Sequence, residues 1–278
     1  MTIVNKLAVC LLLLLSTSFS SIALAEEKEQ ASETTEKDEF HWEVDLGMVL
    51  NHRKALIDGL KYEENDINVL LWLSGGLYYK NFFIESTPRT GRPLTIGYTI
   101  KQTEDKQFNL ITGSWFGPIM EDEQETTHIL DGIKDRKTSM EAGVELNYRF
   151  DDIDIQVRLL HDVLSRHKGS IAGINVSKAF YTKTMLILPT LGLNYISENA
   201  VDYYYGIDTD EVTPIRPEYK PNGAWISNIH IYIERPLSES WSIIGTAGYY
   251  KVSDSISDSP IVNNDAGYNF SLGALWVF

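Results

Sequence analysis

The chain has 278 residues, with 24 Lys and Arg against 39 Asp and Glu, and a formal net charge of −15 at pH 7. That balance excludes a nucleic-acid binder, whose affinity comes from clustered cations that displace counterions from a phosphate backbone. One cysteine excludes a disulfide framework, and six scattered histidines without a pair at ligand spacing give no reason to expect a metal or other cofactor.

Residues 1–25 read as a cleaved secretory signal: Lys6 precedes an apolar run from Leu7 to Leu15, and Ala23-Leu24-Ala25 makes a small-x-small cleavage site. The run is too short to span a bilayer as a helix, and Cys10 lies inside it and would leave with it. Residues 26–39 are polar, acidic and free of aromatics, the composition of a disordered leader.

From His41 onward apolar and polar residues alternate, the mark of strands with two unlike faces. Trp42, Val44, Leu46, Met48 and Leu50 share one face, with Glu43, Asp45 and Gly47 on the other. The clearest case sets Met140, Ala142, Val144, Leu146, Tyr148 and Phe150 against Glu141, Gly143, Glu145, Asn147 and Arg149. The next run sets Ile153, Ile155, Val157 and Leu159 against Asp154, Gln156 and Arg158.

Strands are expected near 40–52, 66–78, 80–88, 93–102, 106–117, 137–150, 152–165, 169–181, 184–197, 223–235, 239–251 and 265–278, with a break at Lys80-Asn81. Short connections alternate with long ones. Together these features predict an all-β fold, an antiparallel up-and-down transmembrane β-barrel of about twelve strands spanning 40–278. Closure pairs every backbone N–H and C=O, apolar residues face lipid, and polar residues face the lumen. An even strand number puts both termini, and so the leader, on the short-turn, periplasmic side. Tryptophans and tyrosines gather near strand ends (Trp42, Tyr79, Trp225, Trp241, Tyr249, Trp276), as aromatic girdles do.

The last strand carries Tyr268, Phe270, Leu272, Ala274, Trp276 and Phe278 on one face. A terminal aromatic such as Phe278 resembles the signal read by the outer-membrane barrel assembly machinery. Lumen-facing Glu141, Glu145, Asp154, Arg149 and Arg158 have mixed signs, so they can pair across strands or line a passage.

Three stretches invite a chemical reading. His161 and Asp162 are adjacent on a strand and point to opposite faces, so they cannot pair with each other. Asp151-Asp152 fits a tight turn, and the carboxylates of 120–125 lack the glycine and spacing of a calcium loop. Without a nucleophile-elbow, zincin or phosphate-loop motif, no enzyme is expected. Tyr203-Tyr204-Tyr205 opens the long connection after the ninth strand. Alternation aims Tyr203 and Tyr205 one way and Tyr204 the other. The run fits a loop folded inward to narrow the lumen, with Gly206 permitting the turn, or equally an outer aromatic girdle.

The chain resembles the MipA/OmpV outer-membrane family over nearly all of its expected mature length. The resemblance rests on residues 97–102, 130–143, 161–169, 202–207 and 216–223, on Ser259-Pro260-Ile261-Val262, and on the last strand. Tyr203, Tyr204, Tyr205 and Gly206, with Ser259 and Pro260, are its most specific elements. Gly132-Ile133 departs conservatively from the family's Gly-Met. A monomeric barrel in outer-membrane lipid is expected, and the resemblance implies that it acts as a scaffold. It would connect a lytic transglycosylase with a penicillin-binding protein in peptidoglycan synthesis. A narrow channel for small solutes is the alternative.

Overall fold

Strict alternation with opposite solvents on the two faces can be satisfied only if the sheet closes on itself. The computed structural model describes residues 40–57, 67–116 and 129–277. The expected signal, the leader, the carboxylates of 120–125 and Phe278 lie outside the described residues. The strands in chain order are β1 (Phe40–Lys54), β2 (Asn68–Tyr79), β3 (Phe82–Thr87), β4 (Arg92–Gln102), β5 (Lys106–Gly113), β6 (Glu141–Phe150) and β7 (Ile153–Asp162). They continue with β8 (Ser170–Lys178), β9 (Phe180–Tyr181), β10 (Leu186–Ile196), β11 (Ala224–Pro236), β12 (Trp241–Val252) and β13 (Ala266–Val277).

Apart from β8 and β9, each strand pairs antiparallel with the next, and β13 closes on β1 from Asp45↔Val277 to Lys54↔Tyr268. β8 and β9 both pair with β10 and form one stave interrupted at Ala179. The result is a closed barrel of 12 antiparallel staves. Lys80-Asn81 and Asp151-Asp152 are tight turns, with Lys80 and Asp151 at φ of 54° and 56°.

The faces are inverted relative to a soluble protein. Met48, Leu71, Leu110, Leu159 and Leu191 point outward and are exposed. Glu141, Glu145, Arg158, Asn109 and Thr95 point inward and are buried. The mixed lumen charges pair across strands: Arg92 reaches Glu85 at 2.9 Å and Glu145 at 3.1 Å. Arg158 donates to Gln156 and Asn194, each at 2.9 Å. The other side of the lumen is apolar, where Val49, Tyr232, Ile244 and Leu275 pack with Trp72. Aromatic rings band both ends: Trp241 stacks on Trp276 with centroids 5.7 Å apart at the short-turn end, and Tyr195 meets Trp225 at 5.1 Å at the other.

One wall segment departs from the simple barrel. β3 pairs with β2 from Tyr79↔Phe82 only as far as Gly75↔Ser86, so the β2–β3 ladder covers only the second part of β2. Gly75 sits at φ 114°, where a Cβ would run into the Glu43 carbonyl. The short 3-10 turn Pro88–Thr90 then bends inward and touches β10 and β11 on the opposite wall.

Candidate functional site

At the long-loop end the connections fold back into the mouth. The tyrosine run is helical, in α1 (Glu198–Tyr205), rather than extended. Its buried positions are Ala200, Val201, Tyr204 and Tyr205, a 3.6-residue spacing that overrides the alternation expected there. Ser197 precedes the helix, and Glu198 places an acidic group in its positively polarised first turn. Gly206 has ordinary extended geometry, φ −71° and ψ 156°, so it is not needed for backbone freedom. It is needed for space: a Cβ there would run into Asp202 Oδ1 and the Asp202 carbonyl.

The tyrosines face the protein rather than lipid. Tyr204 is 0% exposed and meets Phe116 edge-on at 5.4 Å and Tyr203 at 4.9 Å. The Tyr204 hydroxyl donates to the Lys137 carbonyl at 3.2 Å, and the Lys137 N–H donates to the Tyr203 hydroxyl at 3.0 Å. Ser259 Oγ donates to the Tyr205 carbonyl at 2.6 Å, so these two sequence-predicted elements meet. Pro260 beside it is partly exposed. Burial holds the Tyr204 hydroxyl well above its ordinary pKa, with the Glu141 charge adding to the effect.

Two arginines and a glutamate that the sequence reading missed tie these segments together. Arg136 donates to Glu211 Oε2 at 2.8 Å and lies over the Tyr203 ring at 5.9 Å. The Glu211 carboxylate also accepts the Lys134 and Asp208 N–H groups, at 2.9 and 3.1 Å. Burial by itself would raise the Glu211 pKa, but these donors outweigh it and hold the carboxyl below its ordinary value. Arg216, 1% exposed, donates to the carbonyls of Glu211, Asp131 and Ile129.

Beneath them, His167 and Glu141 are both fully buried and 2.9 Å apart. Gly169 N–H donates to His167 Nδ1 at 3.0 Å, so the ring proton sits on Nε2 and is given to Glu141. Asp162 accepts four donors at 2.8 Å: Ser139 Oγ and the N–H groups of Leu164, His167 and Lys168. His161 points away and contacts Ser170 at 2.9 Å, as the opposite-face argument requires. Ser139 gives its proton to a carboxylate and both His167 nitrogens are engaged, so this group is a hydrogen-bonded anchor without a base-activated nucleophile.

Together these segments make an apolar plug. Leu130, Ile207, Ile256 and Ile261 from the loops pack on inward-facing Leu160, Ile171, Ile196 and Val252 of the strands. Every segment that carried the resemblance, apart from residues 97–102 on β4 and the last strand, ends in it. Below the plug the β5–β8 side of the lumen is polar, with a cavity of about 390 Å³ opening at the short-turn end between Gln107, Asn147, Gln156 and Asn175.

The family model described as "MltA-interacting protein MipA" matches residues 46–278. The chain is similar to the putative outer membrane protein YiaT of Escherichia coli K12, 25% identical over 188 residues, which covers 67% of this chain and 76% of that protein. It is 26% identical over 170 residues to the MltA-interacting protein of the same strain, covering 60% and 68%. The outer membrane protein OmpV of Vibrio cholerae is 25% identical over 142 residues, covering 51% and 55%.

Proposed function

We propose, from the premise that this chain belongs to the MipA family, that it is a non-catalytic interaction protein of the outer membrane. On this reading a monomeric barrel sits in outer-membrane lipid with its plugged mouth outward. Its short-turn end docks a lytic transglycosylase and brings it near a penicillin-binding protein. The observation that carries the reading is the plug: among the described residues the lumen is filled at the long-loop end and open at the other. The printed name of a relative, an MltA-interacting protein, supports the choice of partner. The signal is cleaved after Ala25, and Phe278 is read by the assembly machinery.

The test is crosslinking in intact cells, with photo-reactive residues placed at the short turns, at Asn81, Glu104 and Asp152. Adducts with a lytic transglycosylase at these sites, and none from Asp210 at the other end, are expected. Adducts only from the long-loop end would overturn the reading. The polar cavity favours one second reading, a narrow solute channel. A steady open conductance from the unaltered protein in planar bilayers would establish that reading instead.

A further inference from the structure

We propose that the lumen is a blind binding pocket for a short neutral saccharide, entered from the short-turn end. Two cavities adjoin there, of about 390 and 220 Å³, and Gln102 and Gln107 line both. The larger falls in the roughly 300–1,000 Å³ range of small-molecule sites.

The lining selects against ions. Its buried cation, Arg92, is held by Glu85 and Glu145, at 2.9 and 3.1 Å; at the exposed rim Arg149 pairs with Asp154 at 2.8 Å and Lys106 with Asp105 at 3.4 Å, and Lys80 and Glu104 add one exposed charge of each sign. An incoming ion therefore meets cancelled charge and pays its desolvation without a counter-charge. Amides and hydroxyls dominate what remains. They offer donors and acceptors in equal measure, the complement of a polyhydroxylated ring.

Two of these groups are unused. Asn109 Oδ1 and Thr190 Oγ1 belong to residues 1% exposed, and neither atom has a hydrogen-bond partner among the described residues. Asn109 lines the smaller cavity and Thr190 the larger. A buried polar atom without a partner is costly, and a ligand hydroxyl at either position would remove the cost. The smaller cavity adds the partly exposed ring of Tyr78, an apolar surface of the kind a sugar ring covers. The plug above stops the path, so the solute is held and does not pass through.

The experiment is isothermal titration of the full-length protein in a detergent without a sugar headgroup. Maltose and N,N′-diacetylchitobiose serve as neutral probes and digalacturonate as a charged one. Saturable binding of at least one neutral disaccharide is expected, with digalacturonate at least tenfold weaker. Gln107→Leu and Thr190→Val should each weaken binding about tenfold, the scale of one good hydrogen bond. Heat-modifiable gel migration must show each variant folded. Thr190→Val keeps the side-chain shape and stands in if the leucine variant does not fold. No saturable heat with either neutral probe overturns the proposal. So does equal binding of digalacturonate, or unchanged affinity in a folded Thr190→Val protein.

Discussion

Replacing Tyr204 by alanine should open the mouth without dismantling the barrel. The side chain is 0% exposed, packs edge-on against Phe116 at 5.4 Å and Tyr203 at 4.9 Å, and donates to Lys137. Truncating a buried aromatic to alanine costs about 3–5 kcal/mol, cavity included. Local opening equilibria span from near zero up to global stability, so this loss should raise the open population by roughly two to four orders of magnitude. None of the barrel's interstrand hydrogen bonds runs through α1. Hydrogen exchange followed by mass spectrometry is the assay. Residues 129–140, 197–223 and 253–265 should lose protection together while β6 to β8 keep theirs. Tyr204→Phe removes only the bond to Lys137 and should cost about 1 kcal/mol. Refutation would be fraying confined to 198–205 with the other two loops unchanged, because the loops would then not form one cooperative unit.

Other perturbations separate the plug's parts. Arg136→Ala strands a carboxylate in Glu211 that is 2% exposed, and should destabilise the plug by about 3–5 kcal/mol in loop-proteolysis rates. Lys134→Ala removes only half-exposed ion pairs and should leave the rate in the same assay close to that of the unaltered protein. Acid should open the plug before the barrel. The folded pKa of Glu211 lies below its ordinary value of 4.5, so its contribution is full above that value and is lost as pH falls through the lowered one. Loop protection unchanged down to pH 2 would contradict this. Gly75→Ala puts a methyl against the Glu43 carbonyl at φ 114° and should lower the folded fraction in a refolding assay scored by heat-modifiable migration.

The strands were legible because lipid outside and polar groups inside impose period two on nearly every stave. The expected start at 137 overran β6, which begins at Glu141. Lys137 and Ser139 continue the alternation but are drawn into the plug by Tyr203, Tyr204 and Asp162. The helix α1 was missed because three tyrosines are weak helix formers. Its signals were present in Ser197-Glu198 and in the spacing of Ala200, Val201, Tyr204 and Tyr205. Arg136, His167, Glu211 and Arg216 could not be found locally. Each gains its meaning from a partner many residues away, and single charged residues in loops look solvated in sequence.

The lumen also records which end is closed. In a barrel of the outer-membrane type, inward positions are expected to be polar throughout. On β5, Gln107 and Asn109 give way to Ile111 toward the long-loop end. On β7, Asp154, Gln156 and Arg158 give way to Leu160, and on β10, Thr190 and Asn194 give way to Ile196. On β8 the same change runs backward along the chain, from Ser177 and Asn175 to Ile171, because the strand is antiparallel. Four staves therefore turn apolar at one height, where loop residues Leu130, Ile207, Ile256 and Ile261 pack against them. An open channel has no use for such a ring, since water in a wetted lumen would face it at a hydrophobic cost. The ring is understandable only if the loops stay on it. A chain that keeps its outer mouth filled leaves solutes and partners one approach, from the end with the short turns.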